Sequence, residues 1–243
     1  MKAWQKLGLM VVPAIVIAAI GIWIIHRQRS AAAQAPAQPQ EAPISAEQAV
    51  YPRKMYIDSV KAAKSLDGKT VWVQAGYEVK YFPYRNHRVD YAHAVGVLPS
   101  LQKLQVEDIV TARRPADVAT MIPAGNQQVL AVFTMPGSSQ NGSYATAIGY
   151  LKGSDSQFYC DTLFYYDDPH QMYHFWSAKV WKAIDEHRAE VGMDELQTAF
   201  ALGFMRQTNS MDEGNRTVDY DVAGKKWVVT FVDNKATNVE APK

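Results

Sequence analysis

Cysteine is almost missing from this chain: Cys160 stands alone among 243 residues. One thiol excludes an intramolecular disulfide and a cysteine-built zinc cage. Charge of either sign is not in excess. Twenty-five basic residues against 24 acidic leave a formal charge of +1, so global charge points to no polyanionic partner and no nucleic acid. Glycine and proline, 14 and 12 residues, are too few for a fibrous or low-complexity chain, and 48% hydrophobic residues are too many for a disordered one. No residue pattern names a reaction, and none calls for a cofactor. The chain reads more as a binding protein than as an enzyme.

What is present begins with an apolar run. Leu7 to Ile25 is 19 residues without a charge, which spans roughly 28 Å as a helix and matches a bilayer core. Lys2 and Lys6 precede it, and Trp4 and Trp23 suit the two interfaces. A cleaved signal peptide is the rival reading, because small residues follow at Ala31–Ala33. His26, Arg27 and Arg29 stand before those residues and the run is long, so a retained single-pass transmembrane helix is expected within residues 1–29. The membrane is thus one expected partner, through Leu7–Ile25. The remainder is expected outside the cytoplasm. Residues 30–47, rich in Ala, Gln and Pro, read as an extended spacer.

The remainder reads as α+β. Residues 48–168 are expected to form a mainly antiparallel β domain with a helix over Lys54–Ser65. Its strongest strands are Gln128–Met135 and Tyr144–Leu151, joined by a loop of turn formers. Thr70–Gln74 and Tyr77–Phe82 suggest a hairpin or bulged bend, and Val89–Val95 a short helix. Residues 169–243 read as a small α-α-β-β-β domain. Ser177 caps a helix to about Val191, and Asp194 with Gln197 forms a capping box that opens a second, stopped at Gly203. Strands follow at Arg216–Val222, Lys226–Val232 and Lys235–Val239.

This last order carries a resemblance. Gly192-Met193 before a capped helix, Leu202-Gly203 at its end, Tyr220 in the first strand, Val229 and Phe231 in the second and the Asp233-Asn234 turn resemble the SmpA/OmlA family. That family includes the small lipoprotein subunit of the outer-membrane barrel-assembly machinery. The likeness covers about a quarter of the chain. It implies a cell-envelope scaffold or interaction module, with a membrane or envelope protein as partner. Residues 66–110 resemble uncharacterised membrane-anchored bacterial proteins, which implies no activity. Anchor and likeness together place the chain in a bacterial inner membrane, with its folded part on the periplasmic or extracytoplasmic side.

Three clusters are candidates for chemistry or binding. Segment Phe158–Trp176 is dense in aromatics. Tyr159, Phe164, Tyr165, Tyr166, Tyr173 and Trp176 form either a core between the two domains or, if exposed, a partner surface or ligand-binding face. Arg85, His87, Arg88 and His93 could receive an anion or could line a solvated loop. His170 and His174, four apart, would face one way on a helix and could hold a metal with Asp167 or Asp168. That arrangement would suit an envelope metal-dependent hydrolase, and the same residues could equally form a turn and a helix cap. Cys160 among Phe158, Tyr159 and Leu163 reads as a small buried hydrophobe rather than a nucleophile.

Overall fold

The computed structural model describes residues 22, 23, 27, 46, 47, 49–137, 142–203, 205–222 and 224–242. The chain divides into two units, Met1–Ser45 and Ala46–Lys243. In the first, Ile22, Trp23 and Arg27 are helical and exposed, and the Arg27 guanidinium lies 5.2 Å from the Trp23 ring centroid. Apart from Ile22 and Trp23, the apolar run Leu7–Ile25 lies outside the described residues, and so does most of the spacer.

The second unit is built on two antiparallel sheets. The larger holds nine strands: β1 (Thr70–Val73), β2 (Lys80–Arg85), β3 (Arg88–Val89), β4 (Gly96–Val97), β5 (Lys103–Ala112), β6 (Gln127–Thr134), β7 (Ser143–Lys152), β8 (Asp155–Phe158) and β9 (Phe164–Tyr165). Their order is β3-β2-β7-β6-β5-β1-β9, with β4 paired to β2 and β8 to β7. The smaller sheet runs β10 (Met205–Thr208), β11 (Thr217–Val222), β12 (Lys225–Val232), β13 (Lys235–Glu240), in that order. The helices are short: α1 (Val60–Ala63), α2 (Cys160–Leu163), α3 (Pro169–Met172), α4 (Ala178–Asp185) and α5 (Glu195–Leu202).

The fold-class expectation is therefore corrected. The described chain is mainly antiparallel β with short helices, not α+β with a transmembrane helix. Among the described residues no helix is long and apolar enough to cross a membrane. The physical reasons are local. The helix expected over Lys54–Ser65 shrinks to α1 and a 3-10 turn at Lys64–Leu66, because the Asp161 carboxylate takes the N–H groups of Met55 and Tyr56 at 2.9 Å and holds them out of a helix. The helix expected at Val89–Val95 does not form: Val89 closes a β2–β3 hairpin, whose turn residues Asn86 and His87 adopt φ of 50° and 58°, and residues 90–95 are turn and irregular chain leading to β4. The helix from Ser177 ends at Asp185, since His187 enters the left-handed region at φ 52°. Thr70–Val73 pairs with β5 and β9, not with Tyr77–Phe82. A fourth strand, β10, joins the three expected at the C-terminal end.

Burial explains the larger sheet. Strand β6 is buried on both faces, so its sequence is continuously apolar instead of alternating. Val129, Ala131 and Phe133 enter one core with Leu66, Leu104, Ile148 and Leu163. Leu130 and Val132 enter another with Phe82, Tyr91 and Ala145. A further core lies on the smaller sheet, where Val218, Tyr220, Val229 and Phe231 meet Ile184 of α4 and Phe200 of α5. Each such buried side chain contributes about 1.5–3 kcal/mol. Tyr165 of β9 and Trp72 of β1 pack in this same core, so the two sheets share a seam.

Candidate binding groove between the two sheets

The seam leaves two adjoining clefts of about 650 and 590 Å3. Gly76 and Gly203 line both, so the clefts lie side by side. Gly203 ends α5 at φ 79°, with its N–H on the Ala199 carbonyl at 2.8 Å, a left-handed stop that glycine adopts without strain. Gly76 turns the chain out of β1 at φ 94°.

The first cleft is walled by Leu196, Ala199 and Phe200 of α5, by Met205 of β10 and by Tyr165 and Tyr220. The capping box sets that wall: Asp194 accepts the Gln197 N–H at 2.8 Å, and the Asp194 N–H donates to Gln197 Oε1 at 3.1 Å. Arg216, 7% exposed, donates from Nε to Glu195 Oε1 at 2.8 Å, and Glu195 Oε2 accepts the Gly214 N–H. The Glu195 carboxylate raises the Arg216 pKa above its ordinary value. Burial raises the Tyr165 and Tyr220 hydroxyls well above theirs, so both stay neutral donors.

The second cleft is walled by Tyr77, Tyr81, Val95, Val97 and Leu202, with Arg206 at its rim. Arg206 pairs with Glu78 and reaches Asp221 at 3.9 Å. Ser100 also lines it, and the buried Ser100 hydroxyl has no hydrogen-bond partner among the described residues. Val95, Val97, Leu196 and Met205 stay 37–43% exposed along the two clefts. Apolar side chains left in water beside a cleft mark a binding surface.

The residues singled out from sequence lie elsewhere or do other work. Phe164, Tyr165, Tyr166, Tyr173 and Trp176 are buried and Tyr159 is half-buried, so their rings are taken up by the chain's own core. Tyr173 stacks on Trp176 at 4.5 Å, and Phe200 meets both edge-on. Of the six, only Tyr165 lines the groove.

The structure does not bring the candidate metal residues together: the helix at their start stops at Met172, and each side chain engages a different partner. Asp168 caps α3, accepting the His170 N–H at 2.9 Å. His170 lies between Asp168 (3.3 Å) and Asp185 (3.2 Å) and stacks on Trp181. His174 Nδ1 turns to the Gln171 carbonyl at 3.0 Å, and Asp167 pairs with Arg53 at 3.0 Å. Among the described residues no three His, Cys, Asp or Glu side chains converge for a metal.

Arg85, His87 and Arg88 sit exposed on the β2–β3 hairpin, where Arg85 faces Arg88. His93, also exposed, is held by Asp90 at 2.9 Å. They form no cleft. Burial and the neighbouring Asp161 carboxylate push the Cys160 thiol up to about 12, which keeps it unreactive at neutral pH.

Sequence reasoning missed the groove residues Gly76, Val97, Leu196, Met205 and Arg206. They come from four distant stretches, and no local pattern joins them. The one available signal was the turn-forming Gly76 and Gly203, which locate the ends of elements without showing that those ends meet. No family model, curated protein or solved structure matches the chain.

Proposed function

We propose that this chain is an accessory subunit held at a membrane by its apolar run Leu7–Ile25, and that its folded part takes a protein partner into the groove between the sheets. The observation that carries the reading is the pair of adjoining, apolar-walled clefts, each within the ~300–1,000 Å3 range of binding sites. The apolar run supports membrane attachment, and residues 46–243 then lie on the extracytoplasmic side of a bacterial inner membrane. The likeness of the C-terminal region to an envelope scaffold family supports the same role. A metal-dependent hydrolase has no geometric support, because His170 and His174 engage different partners.

Photo-crosslinking in membranes tests the reading. A photoreactive residue at Val97 or Leu196 of the full chain is expected to capture one stoichiometric envelope partner. The same residue at Tyr51, which lines neither cleft, is expected to capture none. Equal capture at all three positions, or none at the groove, overturns the assignment.

A further inference from the structure

We propose that the first turn of the folded unit, residues 46–50, is a proton-operated latch. It is held on the core of the smaller sheet while the Glu47 and Asp194 carboxyls share one proton, and it loosens when both are ionised. The inference does not depend on what enters the groove.

Three observations carry it. The first is how the turn is held. Glu47 Oε1 accepts the Trp176 indole N–H at 2.9 Å, and Val50 packs on the core that contains Trp176 and Phe200. Within the turn, the N–H groups of Ala49 and Val50 reach the carbonyls of Ala46 and Glu47 at 3.2 and 3.1 Å. One carboxyl and one half-buried valine thus dock the turn.

The second is the meeting of two acids. Asp194 is 3% exposed, and the Glu47 carboxyl lies within hydrogen-bonding reach of it. An ionised carboxylate only accepts. Two of them in contact repel, whereas one proton between them makes a donor and an acceptor.

The third is that the neighbouring charges do not undo this. Asp194 Oδ1 accepts the Gln197 N–H at 2.8 Å, and Lys235 Nζ, on a side chain 58% exposed, lies 3.9 Å from Oδ2. Glu195 is turned to Arg216. Tyr173, stacked on Trp176, has its hydroxyl raised by burial and by Glu47, so it stays neutral. Burial, joined by the Glu47 carboxylate, raises Asp194 above its ordinary value, and the Gln197 N–H and Lys235 oppose this without cancelling it. A folded value above the unfolded one stabilises the docked turn at low pH, and that effect is lost as pH rises through the folded value. Five freed residues lengthen the tether ahead of the fold by up to about 17 Å.

The test uses the full chain in detergent micelles. Ala49 is exposed, so a nitroxide on Ala49→Cys reads the turn without entering the core, and the buried Cys160 stays unlabelled. Electron paramagnetic resonance from pH 4.5 to 8 should show the immobile fraction falling at least threefold. Glu47→Gln keeps the acceptor for Trp176 and offers Asp194 an amide donor in place of the shared proton, so the label should stay immobile throughout. Asp194→Asn keeps a competent cap on α5 and should flatten the profile as well. A nitroxide on Gln157→Cys, an exposed position of β8, should show no change.

A flat profile in the parent overturns the inference, as does a slope that survives Glu47→Gln or Asp194→Asn. An equal change at positions 49 and 157 overturns it too, because the whole fold then loosens. A label mobile at every pH in Glu47→Gln also overturns it, because the carboxylate itself then holds the turn. Crosslinking at Val97 and Leu196 is independent of these outcomes, so the latch and the accessory role fail separately.

Discussion

Asp161 shows what a single side chain decides in this chain. Its carboxylate accepts hydrogen bonds from the N–H groups of Met55 and Tyr56 and from the Tyr166 hydroxyl at 2.8–2.9 Å. Burial raises its pKa, but these donors outweigh burial and hold it below the ordinary carboxyl range. A depressed folded pKa stabilises the fold above the unfolded value of about 3.9 and loses that effect as pH falls through the folded value. Asp161→Asn should therefore cost about 1–3 kcal/mol at pH 7. The difference in Tm from the parent should narrow as pH is lowered below about 4. Thermal melts at pH 7, 5 and 3 check this, and a pH-independent difference would refute it. The same residue shows why the helix over Lys54–Ser65 was illegible. The periodicity there is real, but a carboxylate 105 residues away takes the N–H groups first. Local propensity has no access to such a contact.

Elements with a strong pattern were legible and weakly patterned ones were not. Strands β6 and β7 stand out in sequence because β6 is buried on both faces and β7 over its five central residues, Ala145 to Gly149. Helix α5 announces itself by the Asp194–Gln197 box and by Gly203. Strands of two to four residues, such as β4, β9 and β10, carry too little pattern to read, and all three border the groove. At this scale the Glu195–Arg216 pair ties α5 to the start of β11 with side chains only 15% and 7% exposed. Removing one partner strands a buried charge, so Glu195→Ala should cost about 3–5 kcal/mol. Replacing both by methionine should recover most of that loss, because the second charge leaves with the first. Denaturant melts of the three proteins decide it. A double variant as unstable as the single one would show that the pair holds the loop by geometry rather than by charge.

At the scale of the whole molecule the aromatic segment joins what lies on either side of it. The sequence left Tyr165, Tyr173 and Trp176 open between an internal core and a partner surface. The structure places them beneath α5 and against the larger sheet, buried to within 8% exposure. Trp176 also donates its indole N–H to Glu47 at 2.9 Å, which fixes the start of the folded unit onto this core. Trp176→Ala should remove about 3–5 kcal/mol. Because both sheets pack on the seam, the loss should appear as one lowered transition. Two separate transitions by circular dichroism would show that the sheets fold independently. The groove follows from the same arrangement, as the space left where the two sheets meet only in part. Its walls come from remote stretches, so it exists only once the chain has folded.

Trp176 and Trp181 lie 5.3 Å apart with their rings tilted by 45°. Two indoles so close and so oriented share their electronic excitation, and the coupling has a handedness. The folded chain therefore carries its own chiral chromophore. A paired band of opposite signs in the tryptophan region of the circular dichroism spectrum reports the core on the smaller sheet, without any label.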